Sequence, residues 1–159
     1  MRKILAAAMA AITFGATAFA QQPAGPAADP AVQLALNALP PITDERVRAA
    51  IAVYSRVAQG WWVQSRCKID GAQAQQQFSE DLALVTQMMR VLMGNTFKVE
   101  PQKAGEYTET IQMYALNVMS ANKFFDCGEQ AQSLVQVGKS SAGQIASGIR
   151  RQLQQPPAR

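Results

Sequence analysis

Four groups of residues in this 159-residue chain have side chains suited to chemistry: two cysteines, neighbouring carboxylates, clustered methionines and a Gly-Lys-Ser run. Cys67 and Cys127 are the only cysteines and lie sixty positions apart, whereas a redox pair usually reads C-x-x-C. They are expected to pair as a structural disulfide. Closing a loop of that size contributes about 4 kcal/mol in the chain-entropy model.

Glu80 with Asp81, and Glu106 with Glu109, have the residue types for acid and base work. Nothing in the sequence raises a carboxyl pKa, so each pair reads more simply as a solvated helix face. Asp81, Glu80 and Glu109 would carry the alternative function, a carboxylate-based hydrolase. Asp81 stands apart: helical geometry turns it toward Val85, Met88 and Leu92, where an unpaired charge is costly, so it is expected to find an Arg or Lys partner or to sit at the edge of the stripe. Asn122, on an apolar face, likewise needs partners if buried.

Met88, Met89 and Met93 have soft thioethers, with Met113 and Met119 further on, and thioethers suit Cu(I). Met89 shares a stripe with Val85 and Leu92, so core packing is the stronger expectation and a Cu(I) carrier the minor one. Gly138-Lys139-Ser140 resembles the end of a phosphate-binding loop, but Ser133 occupies the required first-glycine position and no strand precedes it. Gly138, Ala142 and Ala146 instead form a smooth helix face that lets a neighbour approach.

The chain has no histidine. That removes Ser-His-Asp and Cys-His catalysis, His-bearing zinc sites and C-x-x-C-H haem attachment. No cofactor, metal or catalytic residue is expected, and no motif carries a family resemblance.

The elements that must position these residues follow a 3.6-residue period, with no convincing strand. A short segment, 31–39, opens after Pro30 and closes at Pro40-Pro41. The first long helix spans 43–66 with Thr43 as cap, burying Val47, Ala50, Ile51, Tyr54, Val57, Ala58 and Trp61. The second spans 71–93 with Asp70 as cap, a stripe of Phe78, Leu82, Val85, Met89 and Leu92, and a stop at Gly94-Asn95. The third spans 101–125 from Pro101, with Tyr107, Ile111, Tyr114, Ala115, Val118 and Phe125 inward. The fourth runs from a capping box at Asp126 and Glu129 to about 153, with Leu134, Val135, Ala142, Ile145 and Ile149 inward. The expected fold is all-α: an antiparallel four-helix bundle with a short extra N-terminal helix. In that arrangement Cys67 and Cys127 share one pole, which accommodates the disulfide.

The third helix is apolar on two sides, because Met113, Leu116 and Phe124 follow a second ridge. The 31–39 segment is expected to cover it. Left bare, the ridge becomes a homodimer or partner interface. Trp62, rotated about 100° from Trp61, is a further candidate anchor.

Arg2 and Lys3, an alanine-rich apolar run and Ala18-Phe19-Ala20 read as a cleaved signal peptide over residues 1–20. A leader over 21–30, one helical domain over 31–153 and a loose tail over 154–159 complete the expected organisation. The mature chain carries no bilayer-spanning segment, and its expected location is the periplasm or the medium. Removing Arg2 and Lys3 leaves thirteen basic residues against eleven acidic, a balance of +2. A nucleic-acid binder shows a basic face, so nucleic acid is not expected as a partner. The expected function is an exported, non-catalytic binding module for another protein or an envelope component. A small-ligand carrier is a further alternative, requiring a cavity lined by Tyr54, Trp61, Tyr107 or Tyr114.

Overall fold

The computed structural model describes residues 29–121 and 125–154. The signal-peptide reading, nearly all of the leader, Asn122, Phe124 and the tail after 154 lie outside them. Five helices and no strand occur among the described residues: α1 (Pro30–Ala38), α2 (Glu45–Cys67), α3 (Ala72–Phe97), α4 (Pro101–Ala121) and α5 (Glu129–Gln154).

Local chemistry sets the helix ends, in places differently from expectation. Asp29 caps α1 by accepting from the Ala31 N–H at 2.9 Å, with Pro30 in the first turn. Asp44, not Thr43, caps α2, its carboxylate accepting from the Arg46 N–H at 2.8 Å. A charged acceptor binds an orphan N–H more strongly than a hydroxyl, which favours Asp44. Asp70 does not cap α3, because its carboxylate takes Lys139 at 2.7 Å. Gln64 meanwhile holds both its backbone N–H and its carbonyl, and Gly71 is the cap.

The second long helix does not stop at Gly94-Asn95 but runs one turn further, to Phe97. Phe97 stacks edge-on against Tyr107 with ring centroids 5.0 Å apart, a contact that rewards the additional turn. Lys68 and Lys98, both left-handed, end α2 and α3. The capping box at Asp126 is not formed: Asp126 Oδ1 accepts from the Gly128 N–H at 3.0 Å, a turn just ahead of α5.

α2 is the hub of the fold, packing against each of the other four helices. Its buried residues surround the helix rather than forming one face, and include Ser55, Gln59, Gly60 and Gln64 beside the expected apolar set. α1 lies mainly on α4. A regular square of four helices would set α4 against α5, yet these two share almost no contact. α2 and α3 come between them, each packed on both.

The inward stripes shift accordingly. α5 buries Ala131, Val135, Gly138, Ala142 and Ala146, while Leu134, Ile145 and Ile149 are only half-buried. Small residues face inward there because α2 and α5 nearly touch at Gly60 and Gly138. α4 buries Ala104, Thr108, Ile111, Ala115 and Met119, leaving Tyr107 and Tyr114 at the edges. One core cluster joins α1 to α5 around Tyr54, Phe78, Ile51, Met89 and Ile111. A smaller one, Val63, Met119, Ala131 and Val135, packs against Trp62 and Phe125. Beside it the Cys67–Cys127 disulfide is formed, with Cα atoms 5.5 Å apart.

Candidate binding groove

The α3 residues Ser79, Leu82, Ala83, Thr86, Gln87, Arg90, Val91, Gly94 and Asn95 recur at helical spacing and form one stripe. At 1.5 Å per residue the stripe is about 24 Å long. It floors a groove of about 1170 Å³, bounded at one end by Trp61 of α2 and at the other by Val99, Glu100 and Pro101. Ala104 and Gln112 of α4 form the facing wall. The small side chains of Ala83, Gly94 and Ala104 keep it open.

Polar contacts fix the groove from beneath. The buried Tyr54 hydroxyl lies 3.1 Å from Thr86 Oγ1 and donates to Gln112 Oε1 at 3.3 Å. Thr86 Oγ1 also lies 2.8 Å from the Leu82 carbonyl oxygen, and either hydroxyl can donate across the Tyr54–Thr86 contact. Burial raises the Tyr54 pKa, and nearby Glu109 adds to this; the Thr86 hydrogen bond and the Arg90 charge work the other way. The phenol is a neutral donor at physiological pH. Trp61 Nε1 donates to Ser79 Oγ at 3.0 Å, which fixes the indole at the groove's end.

Among the described residues, Arg90 and Glu100 are the only ionisable side chains lining this groove. Arg90 meets Glu109 at 3.4 Å, with side chains 50% and 69% exposed. So open a pair holds each partner weakly. Beside Arg90, the Gln112 amide offers an NH₂ group. The arrangement suits an amphipathic guest whose apolar side meets Trp61, Leu82 and Val91 and whose carboxylate meets Arg90.

A second, smaller depression of about 440 Å³ is lined by Ile69, Asp70, Glu129, Gln132, Ser133, Val135 and Gln136. Lys139 already neutralises its Asp70.

The residues singled out in the sequence are scattered. Met113 is 47% exposed and Leu116 half-buried. α1 thus packs on α4 without covering Met113, in contrast to the expectation for the 31–39 segment. Trp62 is half-buried, edge-on to Phe125 at 5.8 Å with Arg66 over its ring. Trp61, expected inside, is half-buried too.

None of the hydrolase candidates lines either concavity, although Glu109 reaches the groove's edge through Arg90. Glu80 is exposed and accepts from Gln76, Glu109 holds Arg90, and Glu106 holds Lys103. Asp81 is buried and has the expected cation, Arg150, at 2.6 Å, with Gln77 at 3.0 Å. Met89 and Met93 are fully buried in the main core and Met88 half-buried. Gly138-Lys139-Ser140 lies inside α5, not in a loop, and Lys139 is engaged with Asp70.

Sequence reasoning missed Thr86, Arg90 and Gln112. A signal existed: small or polar residues at 79, 83, 86, 87, 90 and 94 share one helical face of α3. A tightly covered helix would not carry them there. Comparison with known protein families, curated proteins and solved structures finds no match to this chain.

Proposed function

We propose that the chain is an exported binding module that grips a helical segment of another protein, an envelope component, in the α3–α4 groove. The observation that carries this reading is the groove: about 24 Å long, anchored by an aromatic ring, and floored by fixed hydrogen bonds. Shape, length and a few polar groups in an apolar trough are the requirements for receiving an amphipathic helix. Export is supported by the basic start, the apolar run and Ala18-Phe19-Ala20, and agrees with a disulfide, which persists in oxidising compartments. No described helix is long and apolar enough to cross a membrane.

The scaffold in this proposal is an antiparallel arrangement of α2 to α5. Tyr54 meets Thr86 while Trp61 meets Ser79, so positions fall along α3 as they rise along α2. Arg90 against Glu109 and Phe97 against Tyr107 support the same relation for α3 and α4.

Replacing exposed Ala83 with Trp fills the trough without touching the core. Capture of envelope proteins by the disulfide-intact chain is expected to fall on Ala83→Trp and to persist on Met113→Asp, which alters the α4 ridge instead. The opposite pattern moves the site to that ridge and overturns the groove assignment. A small-ligand carrier is the second reading, favoured by Trp61 on the groove wall. The groove exceeds the roughly 300–1,000 Å³ usual for such ligands, which favours a protein segment.

A further inference from the structure

We propose that the groove's occupant is an acidic amphipathic helix of about four turns, carried by a partner protein, with a carboxylate near its middle that takes Arg90 from Glu109. The proposal rests on the groove being the binding site and adds the chemistry of its partner.

Three observations converge on this occupant. The first is length: a groove of about 24 Å accommodates about sixteen helical residues. The second is backbone satisfaction. The described residues contain no strand, so no sheet edge is available to a guest. The groove walls are helix side chains, and a guest peptide must therefore satisfy its own N–H and C=O groups, which a helix does and an extended chain does not.

The third is charge. Arg90 is the groove's one cation and lies between the Trp61 end and the Glu100 end. Its bond to Glu109 is long, at 3.4 Å, and both side chains are at least half exposed. Exchange of one carboxylate for another on Arg90 is therefore nearly free of energetic loss. Thr86, one turn from Arg90 on α3, shares the Tyr54 hydroxyl with Gln112. Gln112 and Thr86 thus line the groove together with Arg90. A guanidinium has the fork of donors that binds both oxygens of a carboxylate. Glu100 disfavours a second acid at the other end, so the guest's charge belongs at its centre.

Trp61 is the reporter. In the full chain bearing Trp62→Phe it is the sole tryptophan, and its fluorescence is titrated with three synthetic sixteen-residue amphipathic helices. They are identical except for Glu, Gln or Lys at the central position. The Glu peptide is expected to bind about tenfold more tightly than the Gln peptide, with the Lys peptide weakest. In Arg90→Ala, whose helicity circular dichroism checks, the three converge. Equal affinities in the unmodified groove overturn the acidic assignment but leave the groove intact as a binding site. No response to any peptide overturns both. Dodecanoate is the fourth probe: an Arg90-dependent response to it, with none to the peptides, replaces the protein helix by a small amphiphile and overturns the proposal.

Discussion

Gly60 and Gly138 hold α2 and α5 backbone to backbone. A Cβ on Gly60 would lie 2.7 Å from the Leu134 carbonyl oxygen and 3.0 Å from the Gly138 Cα. One on Gly138 would lie 3.1 Å from the Gly60 Cα and 3.3 Å from the Arg56 carbonyl oxygen. All of these are main-chain atoms, which no rotamer change moves, and the buried Phe78 Cζ, 3.2 Å from the Gly138 position, adds a side-chain obstacle.

Alanine at either position is therefore expected to destabilise the protein, although alanine ordinarily improves a helix interior. Overpacking of this kind costs roughly 1–3 kcal/mol. Gly148, with nothing within 4 Å of its virtual Cβ, is the control. Gly148→Ala should stabilise by up to about 1 kcal/mol. Urea midpoints of the three variants check the contrast, and a stable Gly60→Ala would show that the helices do not meet there.

Arg150 compensates a carboxylate that cannot reach water, since the Asp81 side chain is 7% exposed against 40% for Arg150. Removal is thus asymmetric. Arg150→Ala leaves Asp81 with only Gln77 and is expected to cost roughly 1–3 kcal/mol. Asp81→Asn frees Arg150 to solvent and should cost less. Chemical denaturation of both variants compares them, and a milder Arg150→Ala would contradict the burial difference.

Tyr54 predicts a loss of stability in alkali. Its folded pKa lies above the usual value of about 10, chiefly through burial, so the fold favours the neutral phenol. Above pH 10 the unfolded chain releases this proton while the folded chain retains it, and the unfolded state gains. Stability linked to Tyr54 is fully present below pH 10 and declines as pH rises toward the folded value. Tyr54→Phe should flatten that decline relative to the unmodified chain, while losing about 1 kcal/mol at neutral pH with its hydrogen bonds. Thermal melts between pH 8 and 11 provide the comparison.

Lys68 and Lys98 adopt left-handed conformations, φ 50° and 55°, at positions where helices commonly end on glycine. Neither lysine has a charge partner that such a change would remove among the described ion pairs. Lys98→Gly is expected to stabilise by about 1 kcal/mol, relieving the clash between Cβ and carbonyl. A lower melting temperature for this variant would refute that account.

Much of the architecture was legible from local pattern. Pro30, Pro101 and the Cys67–Cys127 pair set the helix starts and the clasp, and the apolar period of Phe78, Leu82, Val85 and Met89 fixed the inner face of α3. Even the partner of Asp81 followed from burying a charge among Val85 and Leu92, although its identity, Arg150, required the tertiary structure. What escaped is the consequence of α2 occupying the centre. A single-face reading of α2 cannot anticipate that Ser55, Gln59 and Gln64 are enclosed as well. It also cannot anticipate that Leu134 and Ile145 yield the interior to Gly138 and Ala142. The groove escaped because only the apolar stripe of α3 was read, and the neighbouring face of Ser79, Ala83, Thr86 and Arg90 went unread. Its meaning comes from Gln112 on α4 and Trp61 on α2, which no spacing within α3 reveals.

The central place of α2 also orders events in time. Its closest neighbour, α5, is the last of the described helices in chain order, so α2 is incompletely covered until that helix docks. Contacts such as Gly60 with Gly138 are remote along the sequence and close slowly. Until α5 docks, the apolar hub of α2 stays open to aggregation.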